Sequence, residues 1–168
     1  MVLAIAGIVM AGAVGLMIYS SDERTLRNAS GEIEALAKRA RTTAILHQTP
    51  YALEFREGVV RLLPLTQAGL DEKKTKVSLS RNKTPPPPAD SSNENRQLSV
   101  PSGMTLSIRR WNSDKWFDIA KNTVQVWRFD PDGLSEPVSI RLALGKNWAE
   151  DTYHPLTATI RDSQFESR

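Results

Sequence analysis

The sequence predicts an α+β protein in which one long N-terminal α-helix packs on an antiparallel β-sheet domain, and three observations support this fold class. Residues 2–19 form an apolar run, a helical spacing of apolar side chains continues to residue 47, and alternating patterns typical of strands begin at residue 51. The chain has 168 residues, enough for one domain after the helix. We therefore divide it into residues 1–21, the apolar half of the helix; residues 22–48, its amphipathic half; and residues 49–168, a β-rich globular domain.

The apolar run has the length and composition of a membrane-spanning helix. It contains no side chain that is charged at neutral pH, and the first charged residue after it is Asp22. About 18 residues rising about 1.5 Å each give a helix of about 27 Å, close to the hydrocarbon thickness of a bilayer. Small residues spaced four apart let membrane helices approach closely. We therefore expect a transmembrane helix in residues 1–21 that packs on other helices through Gly7, Ala11 and Gly15.

Two other interpretations of the apolar run stay open on the sequence alone. It fits a plain membrane anchor in which the glycines are incidental. It also fits a secretory signal peptide, because Ala11-Gly12-Ala13 resembles a cleavage site, although no basic segment stands before the run.

The segment from residue 22 to residue 48 continues the helix with a different surface. Apolar or small side chains recur every three or four positions, as on one face of an amphipathic helix. Gly31 is its one clear weak point, at a cost of about 1 kcal/mol relative to alanine. We expect one continuous helix of about 40 residues that ends before Pro50. The stripe containing Leu26 and Ile33 should lie beneath the β-domain.

Strand patterns follow the helix. Residues 51–56 and 59–64 predict a β-hairpin that turns at Glu57-Gly58. A short strand is expected at residues 77–79, and longer ones at residues 98–101, 105–111, 123–129, 138–144 and 156–161. Residues 81–96 contain four consecutive prolines at positions 85–88 and few apolar side chains, which predicts a flexible loop.

The order of these parts resembles the type IV pilin-like plan, in which a glycine- and alanine-rich apolar helix runs into an amphipathic helix and a β-domain. Two stretches narrow the resemblance. Residues 36–46, followed by residues 48–53, are similar to the helix end and first strand of the GspH/FimT-type minor pseudopilins of the type II secretion system. Phe129-Asp-Pro-Asp-Gly133, followed by residues 138–142, is similar to that family's late hairpin, where an F-x-P-x-G turn joins two strands.

This resemblance implies a structural subunit, not an enzyme, of a pseudopilus that exports proteins across the outer membrane. It implies a single-pass protein of the bacterial inner membrane whose C-terminal domain lies in the periplasm and which joins the pseudopilus on assembly. Its partners would be other pseudopilins or pilins, contacted through the N-terminal helix.

The cleavage motif of that family has no counterpart in the sequence. The motif consists of a basic residue, glycine, phenylalanine and T-L-x-E before the apolar run, whereas here Met1 is followed directly by Val2. We therefore assign no cleavage or docking residue, and the N-terminal methylation that the resemblance implies is expected only if such a motif lies upstream. The prepilin peptidase is expected as a partner only if such a motif lies upstream.

No catalytic, metal or cofactor constellation stands out, and we expect no cofactor. The chain has no cysteine and two histidines. We interpret His47 as a helix-end residue, where a cation suits the helix dipole, and His154 as a turn residue. The segment from Asp130 to Gly133 lacks the spacing of a calcium loop and predicts a type I turn.

Two alternative functions stay open. One is a type IV minor pilin that binds DNA or aids pilus assembly, because cations and tryptophans interleave between residues 109 and 116 and could meet phosphates and stack on bases. The candidate contacts are Arg109, Arg110 and Lys115. Asp114 and Asp118 dilute this patch, and a net charge of +3 spread along the chain does not itself indicate nucleic acid, so nucleic acid is not the expected partner. The other alternative is a membrane-anchored periplasmic protein of another activity.

Overall fold

The structure, a computed structural model, describes residues 2–70 and 96–167, and for residues 2–20 it describes the backbone alone. Within these residues one long helix, α1 (Val2–His47), is followed by strands that pair antiparallel throughout. This confirms the α+β class. The strands are β1 (Tyr51–Arg56), β2 (Val59–Pro64), β3 (Gln97–Ser99), β4 (Met104–Arg110), β5 (Phe117–Asp118), β6 (Gln125–Phe129), β7 (Val138–Leu144), β8 (Asn147–Tyr153) and β9 (Ile160–Glu166).

Helix α1 is continuous over 46 residues, as predicted, and runs through Gly31 without a break. At about 1.5 Å per residue this corresponds to about 69 Å. The helix ends at His47, and the next residue, Gln48, has a left-handed backbone conformation with φ of 50°. The amide of Thr49 then donates to the carbonyl of Ala44 at 3.3 Å, which satisfies one of the free carbonyls of the last turn. The chain reverses there and enters β1.

Several predictions fall on residues that the structure does not describe. Within the part of the chain that the structure describes with its side chains, no helix is long and apolar enough to cross a membrane. The predicted membrane segment, residues 1–21, has described side chains only at Ser21. The short strand expected at residues 77–79 lies outside the described residues, as does the loop expected at residues 81–96 except for Arg96.

The β-domain contains two antiparallel sheets where the sequence predicted one. The first sheet has the strand order β3-β2-β1-β6, and the second sheet has the order β5-β4-β7-β8-β9. Residue patterns identify strands but not their partners, and here β6 pairs with β1, which lies far earlier in the chain. Helix α1 packs against strands of both sheets.

Most strand predictions hold, and one is wrong. The bounds of β1, β2 and β7 are confirmed, and β3, β4 and β6 overlap their predicted ranges. A strand was expected at residues 156–161, but the chain turns there, with the carbonyl of His154 accepting from the amide of Ala158 at 2.9 Å, and β9 begins only at Ile160. Strand β8 was not predicted, because Asn147 and Asp151 interrupt the apolar pattern of its buried face.

The core lies between α1 and the two sheets. Leu26 and Ile33 are fully buried, which confirms that the β-domain covers the apolar stripe of the helix. At the centre, the ring of Trp127 lies 4.7 Å from that of Phe129 in the first sheet and 4.9 Å from that of Tyr153 in the second. These buried aromatic pairs join the two sheets into one core.

Candidate functional site

A buried carboxylate links the helix to the second sheet. Asp151 on β8 is only 2% exposed, and its two oxygens accept hydrogen bonds from Ser30 Oγ on α1 at 2.5 Å and from Ser163 Oγ on β9 at 2.6 Å. A buried carboxylate without partners would be strongly destabilising. The two hydroxyl donors satisfy it, and one of them fixes the rotation of α1 about its own axis.

Two further polar contacts hold the same side of α1. Glu34 Oε1 accepts from the backbone amide of Ile160, at the start of β9, at 3.1 Å. About two turns further along the helix, Arg41 Nε donates to the carbonyl of Gly133 at 3.0 Å. Since positions 30, 34 and 41 share one side of a helix, these contacts fix both the rotation and the height of α1 on the domain.

The turn after β6 is shaped to receive the helix. The amide of Gly133 donates to the carbonyl of Asp130 at 2.9 Å, which confirms the predicted turn. Gly133 has φ of +85°, and a Cβ atom there would lie 3.1 Å from Arg41 Nη2 and 3.1 Å from Ile45 Cδ1. Only glycine suits both the left-handed backbone and the close approach of α1.

The two strands that this turn connects do not form the expected hairpin. Strand β6 belongs to the first sheet and β7 to the second. An isolated bridge pairs Phe129, just before the turn, with Ser135, just after it. The F-x-P-x-G segment therefore carries the chain from one sheet to the other while it contacts α1.

The outer face of the second sheet carries stacked arginines and tryptophans. The guanidinium carbon of Arg141 lies 4.3 Å from the ring centre of Trp116 and 5.1 Å from that of Trp148, and that of Arg109 lies 4.7 Å from Trp116. Glu150 accepts from Nη2 of both arginines, at 2.9 Å from Arg109 and 2.8 Å from Arg141. Cation–π contacts and ion pairs thus order this face, which we call the Arg–Trp face.

The residues proposed for DNA contact lie on or beside the Arg–Trp face. Arg109 is paired with Glu150, and Arg110 is paired with Glu136 and also donates to the carbonyl of Val126 at 2.9 Å. Lys115 is exposed. Residues 109–118 and the ion-pair network that they form with Glu136, Glu150 and Arg141 contain four basic and four acidic side chains, so the formal charges of this set cancel.

A cleft of about 220 Å³ opens where β4 ends, and its lining includes Trp111, Pro137, Ser139 and Thr152. Trp111 is 72% exposed and does not belong to the core. A second cleft, of about 450 Å³, lies between the β1–β2 turn and the strands β4 and β5.

The remaining predicted assembly residues are placed along α1. Gly7, Ala11 and Gly15 belong to its first half, where side chains lie outside the described residues. Leu26 and Ile33 lie in its second half and are buried within the same chain. Their packing is therefore intramolecular, beneath the β-domain, as expected.

The two histidines occupy the predicted positions. His47 is the last residue of α1, and its ring lies 5.8 Å from that of Tyr51. His154 begins the turn that precedes β9. Within residues 2–70 and 96–167, no group of three or more His, Asp or Glu side chains is placed to hold a metal ion.

The buried polar side chain of Tyr153 is unusual in having no hydrogen-bond partner. Its hydroxyl makes no hydrogen bond among the described residues. Burial raises the pKa of Tyr153 well above its ordinary value near 10.0, and the negative charges of Asp151 and Glu34 raise it further. The phenol therefore stays neutral in the folded protein throughout the physiological pH range.

Sequence reasoning missed Asp151 and its partner Ser30. Residues 147–153 did contain an indication of the buried position. If this stretch is a strand, its side chains alternate between two faces, which places Asp151 on the same face as Ala149 and Tyr153. Nothing local identifies Ser30, since its role depends on a residue 121 positions away.

Comparisons of this chain with protein-family models, with curated proteins and with solved structures find no match.

Proposed function

We propose that this chain is a structural subunit of a pilin-like filament, a minor pseudopilin of a type II secretion system. The observation that supports this most is that one continuous helix has an uncharged apolar half and an amphipathic half. From Leu26 onward the apolar stripe of α1 is buried by the chain's own sheets. The uncharged run of residues 2–19 belongs to the same helix, and in this proposal it packs on other partners.

The composition of that run limits what can surround it. A helix that is apolar on all sides is stable only when every side is buried. Lipid and neighbouring apolar helices both provide such surroundings, and the small residues at Gly7, Ala11 and Gly15 favour close helix contacts. A subunit that waits in the inner membrane and then packs into a filament core meets both surroundings in turn.

The contacts of the second half of α1 suit a mechanical part. Ser30, Glu34 and Arg41 each bond to a different segment of the β-domain, so the helix cannot rotate or slide without breaking polar contacts. A domain held rigidly on its helix keeps a fixed position relative to neighbouring subunits once the helices pack. Binding energy, not a chemical reaction, would then drive the function.

Cysteine cross-linking tests this proposal cleanly, because the chain has no cysteine of its own. We expect Ala11→Cys, in the intact chain and its native membrane, to form cross-links to cysteines placed in the apolar helices of other pilin-like subunits. Lys146→Cys, at the exposed turn between β7 and β8, is the matched control and should form none with those helices. A chain that is present in the membrane but forms no cross-link through position 11 would refute the proposal.

The DNA-binding alternative has less support. Its candidate arginines are paired with Glu150 and Glu136, and the formal charges of residues 109–118 and of their ion-pair network with Glu136, Glu150 and Arg141 cancel. Phosphate binding needs an excess of positive charge and weakens steeply with salt. Salt-sensitive retention of the full chain on duplex DNA, lost in Arg109→Ala and Arg110→Ala, would favour this alternative instead.

A further inference from the structure

Trp111 is held in an exposed position by its backbone. Its amide donates to the carbonyl of Pro137 at 3.2 Å, and the amide of Ser113 donates to the carbonyl of Arg110 at 3.0 Å, which closes a turn around it. A tryptophan that stays 72% exposed forgoes the burial of a side chain of about 150–250 Å². Tryptophan is also enriched among the side chains that contribute most of the binding energy at interfaces.

The cleft beside Trp111 offers polar groups at its edges. Ser139, which is buried, and Thr152 also line it, and their hydroxyls are hydrogen-bonded to each other at 2.9 Å. Asp114 also lines the cleft; it is exposed, and within the described part of the chain its carboxylate makes no hydrogen bond or ion pair. The cleft thus combines one aromatic surface with hydroxyl and carboxylate groups that can bond to a ligand's rim.

Charge and size restrict the ligand. The arginines that line the cleft are paired with Glu136 and Glu150, so the site has no excess positive charge to attract a phosphate or a carboxylate. Its volume of about 220 Å³ is below the range of about 300–1,000 Å³ that drug-sized ligands occupy. A small, neutral, ring-shaped group with hydroxyls around its edge fits these limits.

We propose that this cleft binds one pyranose ring of a neutral polysaccharide. The apolar C–H face of the sugar lies against the indole of Trp111, and the sugar hydroxyls bond to Asp114 and to the hydroxyls of Ser139 and Thr152. This site is independent of the filament function proposed above, because it lies on the second sheet and uses no residue of α1.

The test is a titration of the full chain with two neutral trisaccharides, chitotriose and maltotriose, in a detergent without a sugar headgroup. We expect at least one of them to bind with a Kd of about 1 mM or tighter. Trp111→Ala should weaken that binding at least tenfold, whereas Trp111→Tyr, which keeps an aromatic face, should lose less. Phe117→Ala, which removes an exposed aromatic side chain outside the cleft, is the matched control and should change the Kd less than twofold.

Three results would overturn the proposal. The first is that neither trisaccharide binds at concentrations up to about 10 mM. The second is that a trisaccharide binds equally well to the unsubstituted chain and to a Trp111→Ala chain whose melting temperature is unchanged. The third is that the sugars do not bind, whereas duplex DNA binds and this DNA binding is lost in Trp111→Ala.

Discussion

The hydroxyl oxygen of Ser30 lies 2.5 Å from a carboxylate oxygen of Asp151, and this buried bond connects the middle of α1 to β8. The other oxygen of Asp151 is held by Ser163 at 2.6 Å. One carboxylate therefore ties together the helix and two strands. This contact, more than the apolar stripe alone, defines where the helix lies on its domain, because apolar packing is not directional.

Ser30→Ala tests that contact. We expect the free energy of unfolding of the full chain to fall by about 1–3 kcal/mol, because a hydrogen bond to a buried charge is lost and Asp151 keeps only one donor. The measurement is a urea denaturation curve. Thr42→Ala is the matched control, since it removes an exposed hydroxyl on the same helix and should change stability by no more than about 0.5 kcal/mol. Equal effects of the two substitutions would contradict the role of Ser30.

The apolar stripe can be tested with two leucines of the same helix. Leu26 is fully buried and Leu46 is 75% exposed. We expect Leu26→Ala to cost about 2–5 kcal/mol, the range found for leucine truncation in a core, and Leu46→Ala to cost no more than about 0.5 kcal/mol. A small loss for Leu26→Ala in the same denaturation experiment would mean that the sheets do not cover the helix.

Gly133→Ala tests the approach of the turn to the helix. The substitution meets a left-handed backbone and two side-chain atoms of α1 at 3.1 Å, so we expect a loss of about 2–4 kcal/mol. Gly145→Ala is the control, because Gly145 has a φ of +62° but nothing within 4 Å of a Cβ, and should cost about 1–2 kcal/mol. The difference between the losses of stability in the two variants measures the cost of the contact with α1. Equal losses in the two variants would show that the turn does not approach the helix closely.

Tyr153 predicts a specific response to alkaline pH. Because the folded-state pKa of Tyr153 is raised, the folded chain keeps a proton that the unfolded chain releases at alkaline pH. The contribution of Tyr153 to the free energy of unfolding is therefore complete below about pH 10 and is lost as the pH rises further. We expect Tyr153→Phe to show a shallower loss of stability above about pH 10 than the unsubstituted chain. At neutral pH it should be equally stable or more stable by about 1 kcal/mol, since it removes a buried hydroxyl without a partner.

The control for that experiment is Tyr51→Phe. It removes the hydroxyl of a half-buried tyrosine and leaves Tyr153 in place, so the steep alkaline loss should remain. A Tyr153→Phe chain with the same alkaline slope as Tyr51→Phe would show that Tyr153 ionises freely in the folded protein.

The helix, the first hairpin and β7 could be predicted because their patterns are local. Apolar spacing of three and four residues marks α1, and the clean alternation around Ile140 and Leu142 marks β7. Strand β8 could not be found this way. Its inward side chains include Asp151, which is acceptable in the core only because Ser30 and Ser163 donate to it from distant parts of the chain.

The pairing of strands and the surface sites depend on contacts that no local pattern contains. Strand β6 looks like the partner of β7, yet it pairs with β1, and its buried Trp127 packs on Tyr153 of the second sheet. The sequence did identify Arg109, Arg110 and Lys115 as candidates. It could not show that Glu150 pairs with Arg109, or that Trp111 borders a cleft of nearly neutral charge.

The central claim is that the apolar run stays in the mature protein as a packing helix. The most direct measurement is the intact mass of the protein recovered from native membranes. We predict a mass that includes residues 2–19. A soluble product whose mass begins at Val14, after cleavage at Ala11-Gly12-Ala13, would contradict the claim and identify the run as a signal peptide.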